Sequence, residues 1–466
     1  MTESQFSYDA PTARQIIETV GSHGIPPRLG FETFTVGLDP YLTVIDQDYL
    51  SSFIRDGGAS FKLVIGAYGG GKTHFLYSVN NLASGRGFVA SYVTLSHEEN
   101  PFHQMERVYS AVIRGLQLPS GGKKNTPATR QSTAPGESEA GGGESKQTET
   151  SGEHRRPGRP RKTISPDTSR SGENSGLDHL LRRQVAQWSE QLVAKGLSGA
   201  ELQEAILEQA VLSTTDLESL GFATAIKEAV AALLMNRDPD YQVILQWLLA
   251  IGYERNIHRQ FGLLYPVDRS QALTSLRSLT KWIRQLGYPG LVILFDEAEQ
   301  IPSLSGKQRD IMLSNLRELI DECGHGSLRG TMIFYAVPDE TAFEGRTNVY
   351  EALKQRLSTI FDFLNPTGVR IRLEDLGIHP KLLLEQIGVK LAAIYRTAYA
   401  TSFHDEDVHK AAKLLAEAAY DQRFGDVGYK RLFVQTMVRA LHTLRIKPDT
   451  QLDQTWAKSI MQGTVG

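Results

Sequence analysis

The stretch FKLVIGAYGGGKTHFLY, residues 61–77, decides the fold class. Phe61–Ile65 is an apolar, β-rich run, and from Lys72 the apolar spacing of KTHFLYSVNNLAS is that of an amphipathic helix. Between them, Gly66–Ala67–Tyr68–Gly69–Gly70–Gly71–Lys72–Thr73 fits the spacing G-x-x-x-x-G-K-[ST], in the strand-to-helix context that a phosphate-binding loop needs. Glycines suit such a loop because several amides must converge on one phosphate, in backbone conformations that a Cβ would hinder. The dipole of the following helix adds to the field. Lys72 is expected to reach the β- and γ-phosphates of ATP, and the Thr73 hydroxyl to bind Mg²⁺. The nucleotide-contacting set is thus Gly66, Ala67, Tyr68, Gly69, Gly70, Gly71, Lys72, Thr73 and the adjoining His74. A plain glycine turn at a helix start is the alternative.

A phosphate loop of this kind needs a second apolar strand ending in an acid that faces the metal. LVILFDEAEQI supplies it: Leu291–Phe295 followed by Asp296 and Glu297. Asp296 is the expected metal-shell carboxylate, and Glu297 the general base that orients and polarises the attacking water. A core strand running into an acid-capped helix is the bland reading of the same residues.

Working outward, FVASYVTLS reads as another strand, FHQMERVYSAVIRGL as a helix, QRDIMLSNLRELIDEC as a helix and GTMIFYAVP as a strand. Strands interleaved with helices predict an α/β fold around a parallel sheet. One composition break interrupts it. From Pro119 to Gly176 the only apolar residues apart from glycine and proline are Ala128, Ala134, Ala140 and Ile164. Such a stretch cannot repay the entropy of ordering and is expected to be disordered. The expected organisation is a first part of the core at 1–118, a linker at 119–176, a helical insertion at 177–285, the rest of the core at 286–365 and a helical lid at 366–466. YKRLFVQTMVRALHTLR is part of that lid.

The 466 residues carry a net charge of -3, so any binding to nucleic acid must come from a local patch. Cys323, the single cysteine, excludes an intrachain disulfide and reads as a small buried hydrophobe. The N-terminus lacks a basic segment followed by an apolar one, and the longest apolar runs fall far short of the ~20 residues that span a bilayer. A cytoplasmic protein without a membrane partner is expected.

With both motifs placed, the chain resembles the P-loop ATPases of BREX-type phage-resistance systems, themselves similar to the origin-recognition branch of AAA+ ATPases. The resemblance rests on GFETFTVGLDPYL, GGASFKLVIGAYGGGKTHFLY, VTLSHEENPF and LVILFDEAEQI. It implies an AAA+-like core, ATP-dependent homo-oligomerisation, and a role with other defence proteins against foreign DNA. It also implies an arginine finger at Arg356, in EALKQRLSTIF, and a second sensor at Arg431, in GDVGYKRLFVQTMV, with Lys430 as the alternative cation. A surface or salt-bridged role is the competing reading of either arginine. The strand MIFYAVPDE lies where such ATPases place a γ-phosphate sensor, but it offers Tyr335 and Asp339 where Asn or Thr is usual.

RRPGRPRK, residues 155–162, resembles an AT-hook, in which an extended arginine–proline segment follows the narrow minor groove of A·T-rich DNA. Arg156, Gly158, Arg159, Pro160, Arg161 and Lys162 are the expected DNA contacts, although Pro157 stands where the motif commonly has arginine. A basic tract in a low-complexity linker is the alternative. His97, after a strand end, is a further candidate nucleotide contact or a satisfied loop residue. Together these features predict an ATP-hydrolysing protein acting on DNA or DNA-bound partners. The alternative is a nucleotide-switched DNA-binding scaffold with little hydrolysis.

Overall fold

A computed structural model describes residues 8–96, 98–119, 176–298, 304–343, 348–362, 365–375, 377–423 and 428–465. The basic stretch at 155–162 and His97 lie outside the described residues.

Among the described residues the fold is α/β, built on six strands: β1 (Ala59–Ile65), β2 (Val89–Thr94), β3 (Leu116–Gln117), β4 (Leu291–Asp296), β5 (Thr331–Val337) and β6 (Arg370–Arg372). Their order is β3-β2-β4-β5-β1-β6. All neighbours run parallel except β3, which pairs antiparallel with β2. Every residue of β4 and β5 is buried, as expected of central strands covered on both faces.

The two-residue period of the strands assigns each side chain to a layer. Phe61, Leu63 and Ile65 of β1, Ile293 and Phe295 of β4, and Ile333 and Tyr335 of β5 join one cluster. The helical insertion packs into that same cluster through Leu177, Tyr241 and Trp282 among others, so it covers one face of the sheet. Val64, Val292, Leu294, Met332 and Phe334 point to the opposite face, where Phe75, Leu76 and Val79 of the helix Lys72–Gly85 cover them. Asp296 follows Leu294 by two and therefore shares the face of that helix.

A third cluster is made by the C-terminal helices Pro380–Tyr399, Asp405–Asp421 and Tyr429–Ile446. The N-terminal helix Ala10–His23 joins it through Ala13, Ile16, Ile17 and Val20. That helix is started by the Asp9 side chain accepting from Thr12 N and ended by Gly24 at φ 62°. Its packing draws the segment after Gly24 across to the phosphate loop.

Register aligns the strand ends that matter. Ile65 pairs with Val337, Phe295 with Tyr335, and Thr94 with Asp296. The phosphate loop and the acidic pair thus emerge at the same C-terminal edge of the sheet, where ligands of open parallel sheets bind.

Candidate nucleotide site

The loop between β1 and the helix Lys72–Gly85 bends where the sequence is glycine. Gly69 and Gly71 have φ of 66° and 100°, the region that L side chains avoid. Gly70 N donates to Ala67 O at 2.8 Å, and a Cβ on Gly70 would lie 2.7 Å from that same oxygen. Lys72 is buried and curls over the loop. Its Nζ donates to Gly66 O at 3.0 Å and to Ala67 O at 3.4 Å, 5.4 Å from the centre of the Tyr68 ring. Ala67 N donates to Glu374 Oε1 at 3.1 Å.

Thr73 Oγ1 donates to Asp296 Oδ2 at 2.7 Å, joining residues 223 positions apart. The Tyr92 hydroxyl donates to the same carboxylate oxygen, and Glu297 N donates to Asp296 Oδ1 at 2.9 Å. Burial and the neighbouring Asp296 charge push the Tyr92 phenol well above its ordinary range. Sequence reading missed Tyr92. Its signal was positional, a tyrosine in the strand beside β4 and two residues before the partner of Asp296. Glu297 is exposed and has φ of 59°, an uncommon backbone state for a residue with a side chain. It borders a cleft with Ser96, Asn100, His103 and Tyr335.

The helix Tyr429–Ile446 closes over the loop from the other side. Lys430 Nζ donates to Gly70 O at 2.9 Å and to Leu373 O at 3.4 Å. Burial lowers its ammonium pKa to about 8, with Glu374 opposing the shift. The stem of Arg431 packs on both Gly24 and Gly69, where a Cβ would fall 2.5 Å and 2.9 Å from its Cγ and Cβ. A Cβ on Gly428 would lie 1.8 Å from Tyr68 O, so loop and lid touch at a point that admits only glycine. His74 Nε2 lies 2.6 Å from Thr35 Oγ1, with the rings of Phe31 and Phe34 packed edge-on against it. Burial, and then the charge of Lys430, lower its pKa to about 4, so it is neutral at physiological pH.

Between lid, loop and N-terminal segment lies a cleft of about 700 Å³ including its open mouth. Its walls include Ile25, Val36, Leu38, Leu383, Ile387 and Val434, and its floor is Gly69–Gly71 with His74 and Lys430. An apolar slot ending on a phosphate loop suits a nucleobase and sugar. Sequence reading missed this wall, because its residues come from three segments far apart in the chain.

The remaining candidates sit elsewhere. Arg356 is not on this cleft. Its Nε and Nη2 donate to Asp321 Oδ1 and Oδ2 at 2.5 Å and 2.9 Å, and Nη1 to Ala352 O at 2.8 Å. Tyr335 is buried among Phe61, Phe102 and Phe295. Asp339 accepts from Thr341 N at 2.8 Å in its own turn. Cys323 is buried with its thiol pushed up to about 12 by burial, so it is not a nucleophile. Among the described residues, no helix is long and apolar enough to cross a membrane.

The loop, the Thr73–Asp296 pair and the apolar cleft form a donor set that fits a nucleoside triphosphate with an oxygen-liganded cation. No curated protein and no solved structure matches the chain. Residues 10–126 and 164–460 match the family described as BREX system ATP-binding protein BrxC/D, and at that coverage the chain belongs to this family.

Proposed function

We propose that this protein is an AAA+-like ATPase that hydrolyses ATP at the β1 loop and acts, with other defence proteins, on DNA or DNA-bound partners. The observation that carries the reading is the Thr73–Asp296 hydrogen bond, which sets hydroxyl and carboxylate side by side where Mg²⁺ would be held. The strand order supports the AAA+-like assignment, with β5 between the loop strand β1 and the acidic strand β4. The base and sugar would enter the cleft walled by Val36, Leu38 and Ile387. Lys72 would turn from its own loop carbonyls to the β- and γ-phosphates, while Lys430 neutralises charge from the lid. Glu297, at the start of the segment after β4, would orient the attacking water and take its proton. A bound Mg²⁺ would offset the charge developing on the phosphates. Arg431 would act from the lid within the same subunit, and Arg356 from a neighbouring one in an ATP-dependent homo-oligomer. The stretch Arg156–Lys162 would hold A·T-rich duplex.

A second reading, a nucleotide-switched DNA-binding scaffold, is favoured by two observations. Arg356 is held by Asp321 and Ala352 of its own chain through all three of its nitrogens, and Tyr335 is committed to the core. Steady-state phosphate release, with and without Mg²⁺ and duplex DNA, separates the two. Mg²⁺-dependent turnover abolished by Glu297→Gln supports the ATPase. Tight ATP binding with no release above that of Glu297→Gln supports the scaffold.

A further inference from the structure

At the β3 edge of the sheet two clefts adjoin, sharing Arg28, Tyr92 and Gln117. Arg114, His179 and Arg182 line the outer one. Arg28 is exposed and, among the described residues, makes no hydrogen bond or ion pair. Arg114 is exposed and, among the described residues, meets only neutral groups, Asn100 Oδ1 at 3.3 Å and Ser110 O at 3.4 Å. Asp178, the one acid among the described residues of the lining, is 5% exposed and accepts from both Arg182 and the Tyr241 hydroxyl, so its charge is committed inward. The groove therefore presents a net positive surface on a protein whose overall charge is -3.

We propose that this sheet-edge groove binds the phosphate backbone of duplex DNA, a deepening that rests on the DNA-directed reading above. Two observations choose nucleic acid over an acidic protein. The uncharged part of the lining includes amide side chains, among them Asn81 and Gln117, which suit phosphate and sugar oxygens. Leu118, two residues before segment 120–175, and Gly176, directly after it, line the two clefts, and a Cβ on Gly176 would lie 2.0 Å from Leu116 O. The described chain therefore breaks off and resumes beside the groove, and in the sequence the stretch with five cations in eight residues lies between those two points, so a duplex on the groove would be within reach of both with the avidity of linked sites. Tyr92 lines both clefts while its hydroxyl rests on Asp296, so a bound duplex abuts the residue that holds the metal-site carboxylate.

The test is fluorescence anisotropy of the full chain with labelled A·T-rich and G·C-rich duplexes across a salt series. It compares wild type, the double variant Arg28→Ala/Arg114→Ala and the double variant Arg159→Ala/Arg161→Ala. Loss of two phosphate contacts should weaken binding of both duplexes alike by roughly ten-fold or more at about 0.1 M salt, and lower the salt slope by about two. Both arginines of the first variant are exposed, so ATP affinity should stay unchanged and reports on folding. If its curves superimpose on wild type while the second variant loses binding, the groove is overturned and the DNA-directed reading stands. If wild type binds neither duplex, the DNA-directed reading falls and the groove with it.

Discussion

Lys430 reaches from the lid helix to the carbonyl of Gly70 at 2.9 Å, so the phosphate loop and the C-terminal helices share one half-buried cation. Its pKa is lowered to about 8 from an ordinary 10.5, burial outweighing the nearby Glu374. Between those values the amine is neutral in the folded protein and protonated in the unfolded one, so this group makes stability rise with pH across that window. A bound triphosphate favours the charged form and raises the pKa again. ATP binding just above pH 8 should therefore take up a proton, and affinity should fall as pH rises further. Calorimetry in buffers of different ionisation enthalpy measures that uptake. Lys430→Met should abolish it, and uptake that persists in this variant would assign the proton elsewhere.

The loop and the acidic pair predict separable losses. Lys72→Ala removes the charge that would meet the β- and γ-phosphates and should weaken ATP binding by roughly ten- to a hundred-fold. Glu297→Gln should leave binding intact and slow hydrolysis by about 10²–10⁴-fold, since the amide accepts no proton. Because Glu297 has φ of 59°, Glu297→Gly should also relieve backbone strain and raise the melting temperature while abolishing turnover. Equal phosphate-release rates for wild type and Glu297→Gln would remove Glu297 from the mechanism.

Tyr92 should act as a positioning residue for the metal site. Tyr92→Phe keeps the ring packed at 5.1 Å from Tyr77 but removes the hydroxyl that holds Asp296 toward Thr73. The half-saturating Mg²⁺ concentration for turnover should rise several-fold, while ATP affinity measured without Mg²⁺ stays unchanged. A purely structural role would instead lower the melting temperature and leave the Mg²⁺ dependence alone.

What the sequence made legible was local. The Gly66–Thr73 loop and the Asp296–Glu297 pair are contiguous patterns whose chemistry demands their spacing, and the α/β class followed from the strands flanking them. The apolar cleft was not legible, since Val36, Ile387 and Val434 acquire a common meaning only when the N-terminal helix packs on the C-terminal bundle. Tyr92 escaped because a tyrosine in a strand reads as core until register sets it beside β4. β3 escaped because two residues, Leu116–Gln117, carry no periodicity at all.

The ion pair between Arg356 and Asp321 gives the shared-site idea a sharp test. A finger acting across an interface supplies charge to the γ-phosphate of its neighbour and can contribute ~10³-fold or more in rate. Within one chain the guanidinium is clamped by Asp321 on the helix Gly306–Gly324, so it must exchange that carboxylate for phosphate on assembly. Arg356→Ala should thus abolish turnover with ATP affinity intact, and Asp321→Asn should raise turnover by removing the competitor. If the pair only braces the helix, Asp321→Asn lowers the melting temperature and leaves the rate unchanged. Mixing inactive variants then separates the two sides of the site. Arg356→Ala with Lys72→Ala should recover activity, because an intact loop meets an intact finger at one interface. Arg431→Ala with Lys72→Ala should not, because Arg431 packs on Gly69 of its own loop and both changes damage the same side. Confirmed mixed assembly without recovery in the first pair would exclude Arg356 as the trans finger.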